Sequence, residues 1–130
     1  MILLIDSSGY EQLHFALIGK KVKQQKFKIT YPETEKTLSY LEKFLKANKT
    51  KLDQIQEIVV VSGPGSFTGI RVGVSISLAF SFAKNIPLYA IEKPKLPKKL
   101  SDLVTMKLQK VKNEFDPDYG AEPNITTKKK

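Results

Sequence analysis

The sequence predicts an α/β fold, one mixed β-sheet with helices in the order β-β-β-α-β-α-β. Three observations lead there. An apolar run at residues 2–5 is followed by two further β-patterned segments joined at Gly19-Lys20, which read as a strand and its hairpin partner. A second apolar run, residues 58–61, enters the turn Gly63-Pro64-Gly65 and passes straight into a long helical pattern. Between them Leu38, Leu41 and Leu45 recur at helical spacing. Strands first, then strands alternating with helices, place an antiparallel half and a parallel half in one sheet.

The first strand is continuous and apolar and ends in Asp6-Ser7-Ser8-Gly9. Leu13, Phe15 and Leu17 alternate with His14, Ala16 and Ile18. The lysines of residues 22–29 put the returning strand toward an edge of the sheet, because charged edges discourage pairing with other chains. Pro32 suits the first turn of a helix reaching about Ala47. Residues 87–91 form one more short strand. A Pro- and Lys-rich linker is expected over residues 93–100. Beyond it Ser101 opens a helix with Val104, Leu108, Val111 and Phe115 on one face, and a flexible basic tail runs from about Asp116 to Lys130.

The segment after Gly65 is the most informative. Ser66 is placed to cap a helix from about Phe67 to Lys84. Wound at ~100° per residue, Phe67, Ile70, Val74, Leu78 and Phe82 gather on one side. Val72, Ile76, Ala79, Phe80 and Ala83 gather nearly opposite. Gly69, Gly73, Ser77 and Ser81, each four apart, form a stripe of small residues between them. A helix apolar on two sides must be covered on two sides. One side lies on the sheet and the other takes a second helix, brought close by the small stripe. On that reading Gly73→Ala keeps the fold and weakens association, and Gly73→Leu blocks it.

Composition narrows the chemistry. The chain has 130 residues, no Cys and a net charge of +9. It fits one domain without disulfides or thiol metal sites. The apolar N-terminal run is too short for a signal sequence, the uncharged run from Val72 to Ala83 is too short for a membrane span, and a cytoplasmic protein is expected. Arg71 is the one Arg among 22 basic residues, in the first turns of the helix, where a cation is disfavoured unless it has a specific carboxylate or carbonyl partner. His14 is the one His and has no ligand or carboxylate cluster beside it in sequence. The glycine turn is neither a Walker loop, since Ile70 and Arg71 stand where Lys is needed, nor a Rossmann loop, since Thr68 holds the third Gly position. Scattered lysines with no aromatic interleaving read first as solvated faces.

Gly63-Pro64-Gly65-Ser66-Phe67-Thr68-Gly69-Ile70-Arg71-Val72-Gly73 closely resembles the GPGSFTGxRxG motif of the TsaB (YeaZ) family. Residues 2–8, Ile-Leu-Leu-Ile-Asp-Ser-Ser, resemble that family's first strand, and the resemblance covers about residues 1–92. It implies a ribonuclease-H-like domain, one half of an actin-like ATPase fold, without the second actin-like domain. It also implies a non-catalytic partner of a TsaD-like catalytic subunit in threonylcarbamoyl modification of tRNA adenosine, touching tRNA through that complex and forming a homodimer when alone.

No cofactor or metal is expected. Where catalytic TsaD relatives carry a spaced His pair, residues 32–37 hold none. The expected partner interface is Gly69, Ile70, Arg71, Gly73, Val74, Ser77 and Ser81 on the long helix, with Leu38 and Leu41 on the preceding one. Asp6, Gly63, Gly65 and Ser66 form a structural turn, with Asp6 accepting hydrogen bonds from neighbouring N–H groups. Two other readings stand beside this one: an actin-like ATPase or peptidase-type enzyme, and a basic tRNA-binding module.

Overall fold

The computed structural model describes residues 1–30 and 36–111. Its six-stranded sheet contains β1 (Ile2–Asp6), β2 (Gln12–Ile18), β3 (Val22–Lys28), β4 (Glu57–Gly63), β5 (Leu88–Glu92) and β6 (Gln109–Val111). Two helices, α1 (Thr37–Ala47) and α2 (Phe67–Lys84), complete it. The spatial order is β3-β2-β1-β4-β5-β6. β1, β4 and β5 are mutually parallel, and β2, β3 and β6 run antiparallel to their neighbours.

β1 lies inside the sheet and all five of its residues are buried. An uninterrupted apolar run suits a strand covered on both faces. On one face Leu3, Ile5, Phe15, Ile58 and Val60 meet Leu41 and Phe44 of α1. On the other Leu4, Ala16, Val59, Val61 and Ile91 meet Leu100 and Leu103. β3 is the exposed edge, with every lysine in it solvated.

The C-terminal part departs from the expected linker and helix. Residues Lys93–Lys95 form a 3-10 turn, and Leu100–Thr105 form a longer one whose Leu100 and Leu103 are buried. The chain then enters β6 and pairs with β5. Leu100 and Leu103 fit a 3-10 turn as well as an α-helix, because three residues complete one turn of the tighter helix. The edge of β5 offers the following residues a ladder of hydrogen bonds. The expected start of the first helix at Pro32 and the expected tail from about Asp116 lie outside the described residues.

Candidate functional site

The C-terminal ends of β1 and β4 meet the N-terminus of α2 at one corner. Asp6, Gly63, Gly65 and Ser66 all lie there. The Ser66 hydroxyl oxygen accepts from the Gly69 N–H at 3.1 Å, capping α2, and the Ser66 N–H donates to the Ser8 carbonyl at 2.7 Å. Gly65 has φ +154°, and a side chain there would run into the Ser8 carbonyl. These contacts clamp the two turns together.

Asp6 is 2% exposed. One carboxylate oxygen accepts from the Ser8 N–H at 3.0 Å and from the Ser8 hydroxyl at 2.5 Å. The other accepts from Lys93 Nζ at 2.7 Å, and the same ammonium lies 3.3 Å from the Ser8 hydroxyl. Burial pushes the Asp6 carboxyl up. The Lys93 hydrogen bond, the two Ser8 donors and the Lys93 charge outweigh it and hold the group below its usual range. Sequence reasoning missed Lys93, which sits in the stretch read as linker. Both carboxylate oxygens are engaged within the chain. Among the described residues no three His, Cys, Asp or Glu side chains converge as a metal site. His14 hydrogen-bonds Gln24 across the β2–β3 pair at 2.8 Å.

The placement of α2 corrects the expected interface. Gly69, Gly73 and Ser77 face the sheet, and they are the buried residues of this 18-residue helix. The Ser7 hydroxyl donates to the Gly69 carbonyl at 2.7 Å, and a methyl group on Gly73 would collide with that same hydroxyl. The small stripe is therefore a seam inside the domain, closed by β1 and its turn. Leu41 is likewise core, fully buried beneath the sheet. Ser81 is half-buried, and its hydroxyl donates to the Ile86 carbonyl at the end of the helix. Ile70 and Val74 lie half-buried on the flank, Arg71 is exposed, and Leu38 is 40% exposed.

What α2 turns outward is a face centred on Ser75. Arg71, Ala79 and Phe82 belong to it, and half-buried Val72 and Leu78 border it. Phe67 is 72% exposed and Phe82 59%. The Arg71 guanidinium lies 5.4 Å from the centre of the Phe67 ring. Among the described residues it has no carboxylate partner, so ring stacking takes the place of the expected pairing. No helix among the described residues is long and apolar enough to cross a membrane.

The sheet order, the strand directions and the helix-capping corner define a ribonuclease-H-like domain. The fold of YeaZ from Pseudomonas aeruginosa superposes on it with a TM-score of 0.64 at 24% identity, covering 70% of this chain and 43% of that one. The family model for TsaD, tRNA N6-adenosine threonylcarbamoyltransferase, matches residues 33–95. The MG208 homologue of Mycoplasma pneumoniae, itself uncharacterized, is 34% identical over 93 residues, 68% of this chain and 47% of the relative. The Bacillus subtilis tRNA threonylcarbamoyladenosine biosynthesis protein TsaB is 30% identical over 93 residues, 69% of this chain and 40% of the relative. Over this matched region the chain is similar to the TsaB (YeaZ) family. It spans about half the length of the curated relatives it matches.

Proposed function

We propose that this chain is a non-catalytic binding subunit in the threonylcarbamoyl modification of tRNA adenosine, docking a TsaD-like catalytic subunit through the outer face of α2. The observation that carries the reading is the helix itself. α2 settles on the sheet through glycine and serine and turns Phe67, Phe82 and Arg71 to the surface. Arg and large aromatics are the side chains that most often anchor protein interfaces. Thr68, Ser75 and Ala79 are small, so a partner helix can approach closely between the rings. Leu38 of α1 extends the surface, and Ile70 and Val74 form its flank.

The matched TsaD segment, residues 33–95, includes both α1 and α2. That supports a partner built on the same pair of helices, meeting this one about a near-twofold axis. A second copy of this chain presents the same face, so a homodimer competes with the heterodimer. tRNA is engaged through the assembly, and the reaction belongs to the cytoplasm. Residues 1–92 supply the domain that docks, and residues 109–111 finish its sheet.

The enzyme reading is weakened by the corner at Asp6. In an actin-like ATPase this carboxylate would face phosphate and metal, and here Lys93 and Ser8 occupy both of its oxygens. Titration calorimetry of the chain against a TsaD-like subunit tests the proposal. Tight binding by the parent, weakened at least about tenfold by Ala79→Glu with the melting temperature unchanged, is the expected result. Undiminished binding by that variant, or ATP turnover by the isolated chain, would overturn it.

A further inference from the structure

We infer that the β2–β3 hairpin is a phosphate-binding surface for RNA, contacted through Lys20, Lys21, Lys23, Lys26 and Lys28. All five side chains are exposed, and among the described residues none of them forms an ion pair. Residues 12–32 contain no Asp or Glu. Glu11, at the base of the hairpin, makes no ion pair with them. The β2–β3 register sets Lys23 opposite Leu17, and Lys26 and Lys28 opposite His14 and Gln12. Residue parity then sends Lys23 to one face of the sheet and Lys26 and Lys28 to the other. The edge is thus cationic on both sides.

Edge protection accounts for lysines along the strand. It does not account for Lys20 and Lys21, which sit in the turn beyond the ladder. Cations gathered with no ion-pair partner among the described residues repel one another, and a polyanion relieves that cost. A concavity of about 410 Å³ lies at this end, with Met1 and Leu17 in its lining and Lys20, Lys21 and Lys23 around it. An apolar floor inside a cationic rim fits a nucleotide unit, whose base or sugar is less polar than its phosphate. An acidic peptide offers no such apolar part beside each charge. β3 lies at the sheet edge away from β4, where α2 packs, so docking through α2 leaves the hairpin open. The choice of RNA over other polyanions rests on the proposed tRNA-modifying role.

Binding of the full chain to an unmodified tRNA transcript, measured between 50 and 200 mM salt with no partner subunit present, tests the inference. Five phosphate contacts give a log–log salt slope of roughly −3.5 to −4.5, an affinity loss of about 100- to 500-fold over that range. Replacing Lys23, Lys26 and Lys28 together by Gln makes the slope shallower by about 2–3. Replacing Lys98, Lys99 and Lys107, which removes the same net charge elsewhere, leaves it within about one unit. If the strand variant self-associates, K20Q/K21Q probes the turn, and its slope falls by about 1.4–1.8. Equal effects of the hairpin and control variants would reduce the binding to net charge and overturn the inference. So would an unchanged slope in the hairpin variants, or capture of polyglutamate as tight as that of tRNA. Ala79→Glu leaves the slope as it is, so failure of partner docking and failure of RNA contact are read separately.

Discussion

The two sides of α2 are made of similar residues and have opposite fates. The inner side carries Gly69, Gly73 and Ser77 and disappears against Ser7 and Ile5. The outer side carries Thr68, Ser75 and Ala79, equally small, and stays at the surface between two phenylalanines. Composition does not separate them. What separates them is the corner of β1, where the Ser7 hydroxyl reaches the Gly69 carbonyl and leaves no room for a Cβ. Small residues permit close approach, and the geometry of the approaching partner decides which set is used. Half-buried Val74, Ile76, Leu78 and Phe80 flank the seam and supply the apolar contact that glycine cannot.

The largest effect should come from breaking the inner side. Gly73→Leu is expected to cost about 3 kcal/mol or more, because the added side chain meets Ser7 and the sheet. Gly73→Ala is expected to cost about 1–2 kcal/mol, reversing the gain that helix propensity alone would give. Thermal or urea melts of the two variants measure this. Unchanged stability in Gly73→Leu would mean that α2 does not sit on the sheet by this seam.

A middle-sized effect is expected where the corner is held by charge. Lys93→Met leaves the buried Asp6 carboxylate with Ser8 alone, at a cost of about 1–3 kcal/mol near neutral pH. Solvent around the half-exposed ammonium keeps the figure toward the lower end. Asp6 is held below its usual range in the folded chain. Its contribution is therefore complete above the unfolded carboxylate value of about 3.9 and is lost as pH falls from there through the folded value. The parent and Lys93→Met melting curves should converge as the solution is acidified through that window. A gap that persists at the lowest pH would assign the loss to packing of the lysine stem instead.

The smallest effect on stability sharpens the contrast from the outer side. Ala79→Glu should change folding free energy by no more than about 0.5 kcal/mol, because nothing is displaced there. If it destabilises the isolated chain as much as Gly73→Ala does, the two sides are not distinct and the outer face is not free for a partner.

Much of this architecture can be read from residues alone. The buried β1, the hairpin with its lysine edge, the Ser66 cap and the parallel β4 and β5 all follow from local patterns. The orientation of α2 does not. A helix apolar on both sides has no single preferred face, and the deciding contact is to Ser7, 62 residues earlier. The partner of Asp6 was hidden for the same reason. Lys93 lies 87 residues away in a stretch whose prolines and lysines read as solvent-exposed. Arg71 was legible as an unusual residue, but its seat on the Phe67 ring required the turn geometry of the helix. The hairpin lysines were visible as letters. Their gathering along one unpaired edge is a property of the sheet.

The internal position of β1 also sets a timetable for synthesis. β1 is made before both of its neighbours and must be hydrogen-bonded on both sides. β2 arrives promptly and β3 closes the hairpin, making a small antiparallel unit from local contacts. The other side of Ile2–Ile5 pairs with residues 57–60 and has nothing to pair with until they emerge. During that interval the most apolar strand of the domain presents a bare ladder to its surroundings. The charged hairpin beside it then acts as a solubilising float for a nascent chain whose sheet is still half built.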